Sequence, residues 1–208
     1  MAQIFSFDEI EKLRSMPYDD FFDEMGITDE QKEERIEFSE KFEDDMRFLL
    51  LLILIMQDTG QIEVEKAAEQ FETRLLAWIA SYIALDDETK TYISDFCLST
   101  AETTAEHISE KYYVSEDRVR FVSENAALDF LNKSDFQAAQ ANNYRYKTWH
   151  TIIDGKERAT HHKANLTTIP IDSYFLVGEA LMRYPHDMAV AYLHPEEVIN
   201  CRCWVTYS

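Results

Sequence analysis

The sequence predicts a mainly α protein, with an N-terminal helical bundle over residues 1–140 and a small α+β module over residues 141–208. Three observations carry this. Apolar residues recur at three- and four-residue steps through the front of the chain, in long stretches free of Gly and Pro. After Trp149 that periodicity stops, and two of the four Gly, three of the four Pro and five of the six His fall there. The charge changes as well. From Ala141 onward seven acidic residues (154, 157, 172, 179, 187, 196, 197) face seven basic ones (145, 147, 156, 158, 163, 183, 202), so the excess of 40 Asp and Glu over 20 Lys and Arg lies in the front part.

Taken in order, the helices have recognisable ends. Thr28 and Gln31 have the spacing of a capping box, and residues 29–57 contain neither Gly nor Pro, so they read as one long helix closed by Gly60. A second helix is expected over about 62–85, with Ala67, Phe71, Leu75, Trp78, Ile79 and Tyr82 on one inward face. Asp86 is the expected N-cap of a third, over about 88–111, with Tyr92, Ile93, Phe96, Cys97 and Ile108 inward. A fourth begins after Ser115 and carries Val119, Val122, Ala126, Ala127 and Phe130. Ser134 and Gln137 form a second capping box, which opens a fifth helix running to about Trp149. Five helices on short connections make a bundle.

Within the first long helix, residues 48–56 read FLLLLILIM. Nine apolar residues fall well short of the roughly 20 a membrane-spanning helix needs, and charged or polar residues flank them. The segment is expected to be buried on all sides of its helix, the alternative being an apolar surface covered by a second copy of the chain. No membrane partner is expected. The N-terminal MAQIFSFDEIEKLRS is amphipathic and charged, without the apolar stretch of a signal peptide, and predicts a cytosolic start.

At 46% apolar content the chain has ample material for a core. A formal charge of −20 repels phosphate backbones over a Debye length of about 10 Å, which excludes broad electrostatic binding to duplex nucleic acid and favours a basic protein partner.

In the last third, TTIPI (167–171) and CWVTY (203–207) read as strands, the second pairing with an earlier one. A module this small needs a staple, and the candidates are concentrated here. Cys201 and Cys203 are one residue apart, and thiolate and imidazole are ligand types that zinc prefers, so the pair with one or two histidines, His161 among them, is a candidate tetrahedral site. Two small buried thiols in a terminal strand, or one reactive thiol, are the alternatives. His186 and His194, beside prolines, read as solvated. Arg202, flanked by inward cysteines, should point the other way and pair with Asp154 or Asp172 through its planar guanidinium.

A family resemblance rests on a longer series: Lys147 and Trp149; Asp154, Arg158 and His161; Ile171, Asp172 and Phe175; Gly178, Glu179 and Leu181; Pro185 and Asp187; and Ile199, Asn200, Cys201, Arg202 and Cys203. In order and near-spacing it resembles the phage Mu F-like minor head protein family, over about residues 145–208. There are departures. His161 is followed by HKANL where the family commonly has a Leu-Asp-Gly turn, Lys156 stands where a second arginine is common, and Pro185-His186-Asp187 replaces Pro-Gly-Asp.

The resemblance implies a minor structural protein of a tailed-phage head, portal-associated and acting in head morphogenesis and DNA packaging or ejection. Its partners would be the portal and other head proteins, with packaged DNA met only indirectly. It would reside in the host cytoplasm during assembly and then in the head interior or at the portal vertex. Asp154, Arg158, His161, Asp172, Asn200 and Arg202 would form its structural motif. The zinc site of His161, Cys201 and Cys203 is an expectation from the residue types and not from the resemblance. No catalysis is expected. Such domains also occur fused to toxin effectors, so the alternative is a toxin-like or nuclease-like enzyme with His161 as general acid or base.

Overall fold

In a computed structural model, which describes residues 18–61 and 63–208, the fold is mainly α with a small α+β C-terminal module, as predicted. The amphipathic N-terminal segment and Ile62 lie outside the described residues. A short helix α1 (Tyr18–Glu24) precedes the long helix α2 (Asp29–Asp58). The capping box that opens α2 is reciprocal: Gln31 N–H donates to Thr28 Oγ1 at 3.2 Å and Thr28 N–H to Gln31 Oε1 at 3.0 Å. At its far end Gly60 takes φ +75°, and Gly60 N–H and Gln61 N–H return to the carbonyls of Gln57 and Met56, a Schellman closure that needs the left-handed residue.

Helix α3 (Val64–Ile79) stops earlier than its periodicity suggested. Ser81 and Tyr82 bond back three residues instead of four, and the Ser81 hydroxyl caps the Trp78 carbonyl at 2.7 Å, so the apolar pattern up to residue 85 continues through a turn. Helix α4 (Asp87–Glu106) is capped as expected by the Asp86 carboxylate, which accepts Thr89 N–H at 2.7 Å, but it gives way to turns well before Lys111. The fourth and fifth predicted helices are one, α5 (Glu116–Ala141). Nothing between them breaks helical geometry, so Ser134 lies in mid-helix rather than at a cap. The true stop is Asn143, at φ +60°, with Tyr144 N–H on Ala139 O and Asn143 N–H on Gln140 O. Trp149 therefore belongs to a strand.

By their internal contacts the residues divide into two compact units: Glu37–Ala127, and Leu128–Ser208 with the described residues up to Ile36. The change of composition near residue 140 marks where helix gives way to strand.

The core of the first unit is built from Phe38, Phe42, Phe71, Leu75, Ile79, Ile93 and Cys97. Phe38 meets Trp78 and Tyr82 edge-on, at 5.0 and 5.1 Å between centroids, the arrangement ring quadrupoles favour. Asp45, buried among them, accepts from Arg74 Nε and Trp78 Nε1, each at 2.8 Å, so its charge is compensated. The 48–56 run is buried on one face only. Leu49, Leu50 and Ile53 are inside, whereas Leu51 and Ile55, one turn apart, are 58% and 62% exposed. Helical geometry forces this, because nine successive residues point in every direction around the axis and only one side of α2 meets its neighbours. No helix among the described residues is long and apolar enough to cross a membrane.

In the second unit, β1 (Tyr146–Thr151) is the centre of an antiparallel sheet, with β2 (Thr168–Pro170) on one side and β5 (Cys203–Tyr207) on the other. The register sets Trp149 opposite Val205 and Thr151 opposite Cys203. A hairpin of β3 (Phe175–Val177) and β4 (Ala180–Met182) turns at Gly178-Glu179, and only Gly178 needs positive φ (+61°), as a type II′ turn requires. Two short helices, α6 (Ala159–Ala164) and α7 (Pro195–Val198), complete the unit. Trp149, Phe175, Val177, Met182 and Val198 form its apolar core, into which Cys201 and Cys203 are built. Lys147 is buried with its Nζ donating to Arg183 O at 2.7 Å, over the rings of Phe136 and Phe175.

Candidate metal centre

Three elements distant in sequence meet at one point. The first turn of α6 brings in His161, the chain entering β5 brings in Cys201 and Cys203, and α7 supplies Glu197. His161 Nδ1 lies 3.2 Å from Cys203 Sγ and 3.5 Å from Cys201 Sγ. Its other nitrogen, Nε2, lies 3.1 Å from Glu197 Oε2. One ligand atom from each of His161, Cys201 and Cys203 falls within 4.8 Å of the others, and each of these residues is only 2% exposed. The group can hold a metal ion: two sulfurs and one imidazole nitrogen converge, and their spacing fits ligands that share one centre with metal–ligand bonds of about 2.0–2.3 Å.

The surroundings fix this geometry. Thr151, on β1 opposite Cys203, accepts Trp149 Nε1–H at 3.0 Å and donates to His161 O at 3.0 Å, tying α6 to the sheet. Its Oγ1 also lies 3.3 Å from Cys203 Sγ. Asn165, just past α6, accepts Thr151 N–H at 2.9 Å. His186 is fully buried, not solvated: its Nε2–H donates to Cys201 O, which holds the peptide between Cys201 and Arg202, inside the cysteine pair. The residue sits at φ +62°, and that turn directs the ring inward. His194 is partly exposed beside Glu196.

The electrostatics favour a thiolate. Burial alone would raise the Cys201 thiol, but the Cys203 S–H and His161 beside it hold Cys201 well below the ordinary thiol range. Burial and that neighbouring negative sulfur push Cys203 well above it. Burial pulls His161 down, yet the Cys201 sulfur outweighs it and the imidazole is raised. Of the two thiols Cys201 is thus the one shifted toward the thiolate form, the form in which cysteine ligates a metal.

A second layer bears the remaining motif residues. Arg202 grips Asp154 with both arms, Nη1–Oδ2 at 2.7 Å and Nη2–Oδ1 at 2.9 Å. Asp154 Oδ1 also accepts Lys156 N–H at 3.0 Å, and Glu157 Oε2 accepts Gly155 N–H at 2.7 Å, so the loop after β1 closes on itself. Arg158 donates to Ile199 O at 2.6 Å. Asn200, at φ +52°, turns the chain from α7 into the cysteines. Asp172 does not join them. It is exposed and accepts from Gln140 Nε2 at 3.3 Å, so Arg202 chose the other of its two predicted partners.

Sequence reasoning missed Glu197, Thr160, Thr151 and the inward turn of His186. None of these has a local signal; the β3–β4 turn beside them does, since FLV-GE-ALM is a strand, a two-residue glycine turn and a strand. Comparison of the chain with protein-family models, with curated proteins and with solved structures finds no match.

Proposed function

We propose that the chain is a minor structural protein of a tailed-phage head, associated with the portal and acting in head morphogenesis and DNA packaging or ejection. We further propose that zinc staples its C-terminal module through His161, Cys201 and Cys203. The observation that carries the reading is convergence: Asp154, Arg158, His161, Asn200, Cys201, Arg202 and Cys203, scattered over the resembling segment, interlock into one unit around the terminal cysteines.

The departures support the same reading. His186 replaces the glycine of a Pro-Gly-Asp loop and has φ +62°, a conformation that glycine adopts without strain. The Leu-Asp-Gly turn finds its counterpart in Ala164, Asn165 and Leu166: Ala164 is in the core, the Asn165 side chain caps Thr151 N–H, and Leu166 takes φ +61°. Zinc suits the donor set, two thiolates and an imidazole, and would act as a cross-link rather than a reagent, since the ligands are buried. The acidic front suits a basic surface on the portal or another head protein.

The enzyme reading has less to stand on. His161 is 2% exposed with both ring nitrogens engaged, which leaves a phosphodiester no access to it. The test is genetic and biochemical: a nonsense mutation of the gene in the phage that encodes the chain, with head proteomics and infectivity as readouts. The chain in purified wild-type heads at low copy, with defective or empty mutant heads, supports the proposal. Its absence from wild-type heads sinks it, and nuclease activity abolished by His161→Ala in a folded protein would favour the alternative.

A further inference from the structure

The metal reading leaves open why His161 offers Nδ1, and not Nε2, to the two sulfurs. A histidine that binds a metal uses one ring nitrogen as a lone-pair donor and carries its proton on the other, and the partner of that second nitrogen decides which is which. Here Nε2 faces the Glu197 carboxylate at 3.1 Å while Nδ1 faces Cys201 and Cys203.

Glu197 is itself held from two sides. Its Oε2 accepts the Thr160 hydroxyl at 2.7 Å, so the same oxygen serves consecutive residues of α6. Its Oε1 lies under the tip of the β3–β4 hairpin, where a Cβ on Gly178 would stand 2.2 Å from it and 2.9 Å from the carboxylate carbon. A side chain there would displace the carboxylate, and φ +61° at Gly178 disfavours one independently. The carboxylate is buried and has little room to turn.

We propose that Glu197, clamped by Thr160 and by the close approach of Gly178, is the positioning residue of the metal centre: it fixes His161 with its proton on Nε2 and its lone pair, on Nδ1, aimed at the ion shared with Cys201 and Cys203. This rests on the metal reading and extends it outward, because it makes the hairpin turn a component of the metal site although the hairpin supplies no ligand. A carboxylate accepting from Nε2–H also makes Nδ1 a better donor, and loss of such a partner weakens metal affinity by about 10–100-fold in comparable sites.

The experiment uses the full chain, purified reduced, with zinc alone as probe. Zinc stoichiometry is measured first, then the dissociation constant by competition with a chromophoric chelator, for wild type, Glu197→Ala, Glu197→Gln, Thr160→Val and Gly178→Ala. The nitrogen chemical shifts of His161 in the zinc-loaded protein report which ring nitrogen is metallated. Expected are one zinc per chain bound through Nδ1, about 10–100-fold weaker binding in Glu197→Ala and Gly178→Ala, and a smaller loss in Thr160→Val. Glu197→Gln, nearly isosteric, serves where the Ala variants fail to fold, and is expected to bind several-fold more weakly while keeping the Nδ1 signature. If wild type binds zinc through Nδ1 and Glu197→Gln and Glu197→Ala bind as tightly as wild type, the positioning role is overturned and the metal reading stands. If wild type binds no zinc, both fall.

Discussion

Arg202 and Asp154 are joined by two parallel hydrogen bonds, 2.7 and 2.9 Å long, across 48 residues of sequence. The guanidinium projects from between two cysteines whose sulfurs both meet His161, so the pair clips the loop after β1 to the segment that carries Cys201 and Cys203. Hydrogen bonds from the Arg202 guanidinium, with the Lys156 N–H, hold the Asp154 carboxyl well below the usual carboxylate range. A depressed folded value gives stability that is present above the unfolded value of about 3.9 and is lost as pH falls through the folded one. Thermal melts of wild type and Asp154→Asn should therefore differ at neutral pH and converge only in strong acid. Arg202→Lys should lose most of the same difference, because one ammonium cannot match both oxygens. Parallel curves down to the lowest pH would show that the fork contributes nothing.

Chelation is expected to act on the C-terminal module and leave the Glu37–Ala127 unit folded. A ligand that binds only the folded state stabilises it by about 2.7 kcal/mol when its free concentration is 100 times Kd. Wild type with excess zinc should melt correspondingly higher than wild type with a strong chelator, and Cys201→Ser and Cys203→Ser should lose that response. A zinc-independent melt in wild type would return the cysteines to the status of buried core thiols.

Lys147 should impose an alkaline pH dependence. Burial lowers its ammonium from 10.5 to about 8, with Asp187 and Asp172 only partly offsetting the cost. Between those values the unfolded chain holds a proton the folded one has lost, so stability rises with pH across this window, by at most about 1.4 kcal/mol per pH unit. Urea titrations of wild type and Lys147→Met from pH 7 to pH 10.5 test this. The difference between them should shift in favour of wild type as pH rises, and a constant difference contradicts it.

At the other end, the Thr28 cap is exposed and local. Thr28→Ala removes one half of the reciprocal pair with Gln31 and should cost about 1 kcal/mol. Thr28→Ser should cost a small fraction of that. Chemical denaturation followed by helix signal reads both, and equal stability of Ala and Thr at this position would show that α2 is indifferent to its cap.

Much of the fold was legible because its determinants are local. The Thr28–Gln31 box, the Asp86 cap, the Gly60 stop and the strand 203–207 each depend on residues within about four positions of one another, the reach of a helical turn or a strand pair. Local signals also misled where nothing local decides. Ser134 and Gln137 have the spacing of a cap, but a serine caps only where the helix actually begins, and α5 begins at Glu116. Leu49 and Leu51 are alike in sequence, and only the neighbours of α2 decide that one is buried and the other exposed.

The sequence by itself determined a helical front, a change of texture near residue 140, and a C-terminal third holding the Cys, His and Arg able to build a site. The tertiary structure alone decided that His161 meets Cys203 across 42 residues and Glu197 across 36, that His186 turns inward, and that Arg202 takes Asp154 and not Asp172. The reason is range. Backbone hydrogen bonds and caps read only their near neighbours, whereas a buried polar cluster exists only where sheet register, a hairpin turn and two short helices bring its members to one point.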